Sequence, residues 1–189
     1  MGNKVSVVVM ASGHSKRFGS NKLWVTVDGV PLIQRAVSLA SKGFDDVVVV
    51  ARDPKILELA ALYGATAVKN SDETDDIATT IRLGIENISE DSTGCALMVA
   101  DQPYLGISSI KKLVETFLKN PNSICRLYCG TVPGNPAIFP SGCFDKLRSL
   151  KCNECGRKVI KTFGGSVEKV QVYNVSELMD IDERKDINE

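Results

Sequence analysis

The chain has 189 residues, 43% of them hydrophobic, with 23 Lys plus Arg against 23 Asp plus Glu and one histidine. That length suits one well-buried domain over residues 1–189, and the charge balance removes the global positive field that would hold nucleic acid through counterion release. No apolar run approaches the ~20 residues of a membrane helix and the first residues lack a signal-peptide layout, so a cytoplasmic protein with reduced thiols and no membrane partner is expected.

Residues 5–10 are an apolar run interrupted only by Ser6, the pattern of a strand buried on both faces of a parallel sheet. Ala11, Ser12 and Gly13 follow, small enough for backbone N–H groups to come close to an anion, and then Arg17 and Lys22. That order suits the phosphates of a nucleoside triphosphate. It lacks the third glycine of a dinucleotide turn, and Lys22 does not sit in the G-K-[ST] of a P-loop, which disfavours a dehydrogenase or a P-loop NTPase. An ordinary strand-to-helix turn with two solvated basic residues accounts for the segment equally well.

The spacing then predicts a helix over 31–42, opened by Pro31 and stopped by Gly43, and a second buried strand over 47–51. Asp53-Pro54 caps a helix running through 62, with Gly64 past its end, and 65–69 reads as a short strand. A helix over 79–88 carries Thr79 and Thr80 near its start, and 95–100 is a fourth buried strand ending at Asp101-Gln102-Pro103. After an amphipathic helix over 107–118, strands at 124–129 and 135–139 follow too closely for a crossover helix, so the pair is expected either to be antiparallel or to bend away from the main sheet. Helices over 144–150 and 156–163, a strand over 167–173 and a charged helix after Asp180-Ile181-Asp182 complete the chain. The alternation predicts an open, mainly parallel α/β sheet with helices on both faces, its ligands outside the carboxyl ends of the strands.

Among six cysteines, Cys152 and Cys155 form a C-x-x-C, and Cys125 and Cys129 are the nearest further pair. Their loose spacing disfavours structural zinc, and the absence of a conventional redox flank disfavours a thioredoxin-like site. His14 in a loop is as well explained by exposure as by catalysis.

If the strands over 5–10 and 95–100 are parallel, the Ser12–Gly13 loop and Asp101 leave the sheet on the same edge. An anion cradle would then face a carboxylate, an arrangement that suits Mg²⁺, which takes few protein carboxylates plus phosphate oxygens. Asp180 and Asp182, two apart in an extended segment, point the same way, and either can add an oxygen. A turn or helix cap is an equally good account of Asp101 alone.

Ala11-Ser12-Gly13 through Arg17, Gly19 and Lys22, then Asp28-Gly29-Val30-Pro31-Leu32, resemble the N-terminal signature of the MobA-like nucleotidyltransferases. Asp101-Gln102-Pro103 resembles that family's metal-binding turn, Gly134-Asn135-Pro136 its acceptor-side motif, and Asp180-Ile181-Asp182 its closing D-x-D. The likeness runs in order along nearly the whole chain and is greatest to the MocA-type members, which move CMP from CTP to the phosphate of molybdopterin. It implies a nucleotide-diphospho-sugar transferase (Rossmann-like) fold and Mg²⁺ on Asp101 and Asp182. It also implies triphosphate contacts from Ala11, Ser12, Gly13, Arg17 and Lys22, with Thr79 and Thr80 beside the base. Arg17, Lys22 and Asp101 are then the catalytic residues, Gly134, Asn135, Pro136, Glu154 and Lys158 hold the acceptor, and a molybdenum hydroxylase is the implied partner.

The departures fall mainly on the acceptor side. Asn153-Glu154-Cys155-Gly156 replaces a G-D-x-G stretch, and Lys158 stands where the family carries Arg. Ser12 departs from the A-A-G of the CTP-using branch, and its side chain should crowd the larger guanine, favouring CTP over GTP, and Gln102 after Asp101 also resembles the CTP-using branch. Transfer to a sugar or alditol phosphate, a GTP-using guanylyltransferase and a non-catalytic cofactor carrier are the alternatives.

Overall fold

A computed structural model describes residues 3–13, 21–74 and 76–181. The apolar run near the N-terminus forms β1 (Lys4–Ala11), whose interior is buried because both of its faces are covered. In chain order there follow β2 (Thr26–Val27), β3 (Val30–Pro31), α1 (Leu32–Gly43), β4 (Asp46–Ala51), α2 (Pro54–Leu62), β5 (Thr66–Lys69) and α3 (Ile77–Glu86). Then come β6 (Ser92–Val99), α4 (Ile107–Lys119), β7 (Ile124–Cys129), β8 (Val132–Pro140), α5 (Phe144–Arg148), α6 (Gly156–Lys161) and β9 (Val167–Gln171).

Seven strands make one sheet in the order β5-β4-β1-β6-β8-β7-β9, in which β8 alone runs against the rest. The period-two alternation of β1 divides the core into two layers. Val7 and Val9 pack with Ile33 and Val37 of α1 and Ile110 of α4, whereas Val8 packs with Ile81 and Ile85 of α3. Helices α1, α2 and α4 thus cover one face and α3, α5 and α6 the other, as the β-α alternation predicted.

The 124–129 and 135–139 strands are antiparallel, one of the two arrangements expected, but β8 begins at Val132, because Gly130 at φ +59° lets the chain turn tightly and pair Cys129 with Val132. Helix α3 begins two residues before the predicted start, since Asp76 accepts from Ala78 N at 3.1 Å and serves as its cap. Single-turn 3₁₀ helices at Lys22–Trp24 and Val175–Leu178 were not predicted, being too short to show periodicity. The charged helix expected after Asp182 lies outside the described residues. Among these no helix is long and apolar enough to cross a membrane.

Strands β1 and β6 are parallel neighbours, with Val9 opposite Met98 and Met10 opposite Val99. Their carboxyl ends therefore deliver the 11–13 loop and Asp101 side by side.

Candidate active site

Beyond β1, Ser12 is buried and its hydroxyl donates to Val50 O of β4 at 3.1 Å, so its side chain turns toward the neighbouring strand. Gly13 is exposed, and a Cβ there would meet nothing within 4 Å, so packing is not what asks for a glycine. His14, Arg17 and Gly19 lie outside the described residues. The chain resumes at Asn21, whose side chain caps the turn carrying Lys22 by accepting from Leu23 N at 3.2 Å.

Asp53, the cap of α2, anchors that turn: it accepts from Trp24 Nε1 at 2.8 Å and Asn21 Nδ2 at 3.2 Å. Desolvation opposes its charge, but the bonds from Trp24, Lys55 N and Asn21 outweigh it and hold the carboxyl below its ordinary value. Trp24 is thereby tied into the scaffold.

The result is a fixed ammonium. Lys22 Nζ lies 2.7 Å from Asp101 Oδ2 and 3.2 Å from Ile181 O, with both side chains of the ion pair about four-fifths buried (18% and 19% exposed). The other carboxylate oxygen, Asp101 Oδ1, is buried with no hydrogen-bond partner among the described residues. An unpaired buried carboxylate oxygen is costly unless a ligand completes it.

Among the described residues no three His, Cys, Asp or Glu side chains gather to hold a metal. One free carboxylate oxygen nonetheless suits a hard ion of the Mg²⁺ type, which keeps most of its ligands as water and phosphate oxygens. Asp182, the second expected ligand, lies outside the described residues.

The segment 174–181 runs across this end of the sheet. Ile181 N donates to Asp101 O at 3.0 Å, and buried Gln102 donates from Nε2 to Asp180 Oδ1 at 2.8 Å and Leu178 O at 3.2 Å. Glu177 Oε2 accepts from Gly106 N at 3.0 Å and Ser109 Oγ at 2.6 Å. Gly134 lies against Leu178, leaving no room for a Cβ, which would stand 2.5 Å from the Leu178 side chain. Asn135 is half-buried and joined by a cis peptide to buried Pro136.

The remaining expected residues spread more widely. Thr80 is buried and accepts from Asn70 Nδ2 at 3.3 Å, and Thr79 Oγ1 donates to Asp72 Oδ2 at 2.9 Å, so both hydroxyls are engaged by the segment between β5 and α3. Glu154 and Lys158 pair with each other, and Glu154 also accepts from Lys151 N at 2.9 Å. The bond from Lys158 and then that from Lys151 N hold the Glu154 carboxyl below its ordinary value.

Beneath the carboxyl ends of β1 and β6, between α3 and α6, lies a cavity of about 220 Å³. Its walls include Met10, Ile81, Leu97, Val99 and Phe139, and its polar lining includes Asn135, Arg126, Cys155 and Arg157. Neither Glu154 nor Lys158 lines it. The sequence reading missed both arginines, although the pattern held a signal for one: Arg126 shares the face of apolar Ile124, two residues away in β7. The six cysteines form no disulfide, and burial pushes the Cys125 thiol up to about 12.

An open strand-end loop beside a fixed ammonium and a half-satisfied carboxylate has the chemistry of a nucleotidyltransferase. The chain belongs to the MobA-like NTP transferase family, whose domain model matches residues 7–170. It is 27% identical over 187 residues to the purine catabolism protein PucB of Bacillus subtilis (strain 168), covering 93% of this chain and 90% of that one. Over 62 residues, 33% of this chain and 30% of the other, it is 37% identical to a probable molybdenum cofactor guanylyltransferase of Nostoc sp..

Among solved structures, Rv0371c of Mycobacterium tuberculosis H37Rv matches with a TM-score of 0.82 at 22% identity, covering 97% of this chain and 95% of that one. Its complex with manganese matches at 0.77 with 20% identity and the same coverage. A CMP:2-keto-3-deoxy-manno-octonic acid synthetase complexed with CTP matches at 0.69 with 10% identity, over 90% of each chain. These likenesses show a shared fold.

Proposed function

We propose that residues 1–189 act as one cytoplasmic domain that transfers CMP from CTP to the terminal phosphate of a molybdopterin-type acceptor and releases pyrophosphate, with Mg²⁺ as cofactor. A molybdenum hydroxylase would receive the product. The observation that carries the reading is Lys22 clasped to Asp101 at 2.7 Å beside the Ser12–Gly13 loop, with one Asp101 oxygen left without a partner among the described residues.

A triphosphate at that loop meets backbone N–H groups and an ammonium whose position is set before the substrate arrives. An oxygen of the acceptor phosphate bonds to the α-phosphorus as the bond from that phosphorus to the bridging oxygen breaks, and the electron pair leaves on pyrophosphate. The attacking phosphate is already anionic near neutral pH, so no side chain has to remove a proton. Lys22 neutralises charge on the departing oxygens, a role Arg17 shares by the family likeness. When bound, Mg²⁺ supplies Lewis-acid neutralisation of the phosphate oxygens, and Asp101 and Asp182 are the residues that would hold it.

CTP as donor rests on the resemblance of Gln102 to the CTP-using branch. Ser12 does not weigh against GTP, because its hydroxyl is engaged by Val50 O rather than left free beside the loop. The likeness to a probable guanylyltransferase supports the GTP-using alternative. Pyrophosphate release with Mg²⁺ and molybdopterin, run in parallel with CTP, GTP, ATP and UTP, tests both. Release with CTP alone supports cytidylyl transfer, release with GTP alone supports guanylyl transfer, and silence with all four in folded protein removes the proposal.

A further inference from the structure

Helix α4 has no cap of its own. Its N-cap is Gly106, which has no side chain to accept from the first turn, and that turn holds no acidic residue. The acceptor arrives from 71 positions away: Glu177 Oε2 takes Gly106 N at 3.0 Å and Ser109 Oγ at 2.6 Å. A carboxylate there also meets the positive end of the helix dipole. Glycine makes the approach possible, since a Cβ on Gly106 would stand 3.2 Å from Glu177 Oε2. A serine or aspartate, the usual residue at an N-cap, would offer its own oxygen and crowd the carboxylate.

Glu177 belongs to the 174–181 segment, whose course depends on polar anchors because its 3₁₀ turn buries none of its residues. That segment is zipped to 101–106: Ile181 N donates to Asp101 O, Gln102 Nε2 to Leu178 O and Asp180 Oδ1, and Gly106 N to Glu177. One end of the zipper is Ile181, whose carbonyl oxygen lies 3.2 Å from Lys22 Nζ. The other end is α4, a 13-residue helix fixed in the core by Ile110, Leu113 and Phe117. Through Glu177 the segment that touches Lys22 is tied to a rigid element, and the ammonium inherits that reference.

We propose that Glu177 is a positioning residue: by capping α4 from a distant segment it sets Ile181 O and, through it, the Lys22 ammonium. The inference rests on the nucleotidyltransferase reading and adds to it a residue that the family likeness did not include. A cap that served stability alone would be replaceable by any other cap on α4. A positioning cap is not, because only Glu177 carries Ile181 with it.

Gly106→Ser separates the two roles, since it gives α4 a cap of its own while displacing Glu177; Glu177→Gln keeps an acceptor oxygen, and Glu177→Ala removes it. Limiting acetylation of the full chain by acetic anhydride, read by peptide mass spectrometry, follows Lys22 without a nucleotide, with exposed Lys55 of α2 as the reference. Relative to Lys55, Lys22 should be labelled about threefold faster or more in Glu177→Ala and Gly106→Ser, and near the wild-type rate in Glu177→Gln. In the first two variants kcat/KM for pyrophosphate release with CTP or GTP should fall about three- to tenfold, and Glu177→Ala should add nothing to the loss in Lys22→Met. Gly106→Ser should meanwhile keep the wild-type Tm within a few degrees, which a cap of purely structural value would pair with unchanged labelling and turnover. A Glu177→Ala chain that fails to fold labels Lys55 as fast as Lys22, and Gly106→Ser then decides. Unchanged labelling of Lys22 in folded Glu177→Ala or in Gly106→Ser overturns the assignment, as does a turnover loss additive with that of Lys22→Met. The two readings fail separately. Faster labelling of Lys22 without pyrophosphate release from any nucleotide removes the reaction alone, and release at the wild-type rate in Glu177→Ala removes the positioning role alone.

Discussion

Asp101→Asn keeps the shape of the side chain and removes its charge, so it tests the clasp directly. In the native chain the carboxylate lies 2.7 Å from Lys22 Nζ, and the two side chains are 19% and 18% exposed. Breaking a fully buried pair costs about 3–5 kcal/mol and an exposed one about 0.2–1 kcal/mol, so a four-fifths-buried pair falls between, at about 1–3 kcal/mol. For a chain of this length that lowers Tm by about 2–12 °C. Turnover should fall much further, by about 10²–10³-fold, because the charge and the free oxygen are lost together. Urea unfolding of Asp101→Asn, Lys22→Met and the double variant, with pyrophosphate release across a Mg²⁺ series, separates the two effects. The double variant should be more stable than the sum of the single losses by about 1–2 kcal/mol. Additive losses, or wild-type turnover at saturating Mg²⁺, would refute the reasoning.

CTP with Mg²⁺ at 100 times its Kd should stabilise the chain by about 2.7 kcal/mol, and Lys22→Met should abolish most of that in a thermal shift; an unchanged shift would take Lys22 out of the triphosphate site. Gly134→Ala drives a Cβ to 2.5 Å from Leu178 and should cost about 1–3 kcal/mol in urea unfolding, with Leu178→Ala in the same chain recovering part of the loss. The Asp53 carboxyl is held below its ordinary 3.8, so its contribution to stability is present above that value and lost as pH falls through the folded value. Trp24→Phe, which removes one of its donors, should therefore lower Tm at pH 7 and have a smaller effect below pH 3.8; a gap that does not close in acid would mean that Trp24 acts through packing alone.

Local pattern alone was enough for the architecture and for the loops to watch. The apolar runs that became β1, β4 and β6 are nearly continuous, Ser6 of β1 being the exception, because each strand is covered on both faces, and that pattern is written residue by residue. Parallel strands then send Ser12 and Asp101 to the same edge, which is why the sequence could set the Ser12–Gly13 loop beside Asp101. The start of α3 was misread because a capping aspartate carries no period, and the 3₁₀ turns were missed for the same reason.

What the tertiary structure decided is direction. Chain order does not say that the Ser12 hydroxyl turns to Val50, that Glu154 and Lys158 satisfy each other, or that Arg126 and Arg157, from β7 and α6, meet at one cavity. Nor does it say that Leu178 and Ile181, from the last described segment, press onto Gly134 and hold Lys22. Burial periodicity is a property of neighbours in sequence and survives in a single chain read by eye. Which polar atoms satisfy one another depends on contacts between distant segments, and those exist only once the sheet has brought its strand ends together.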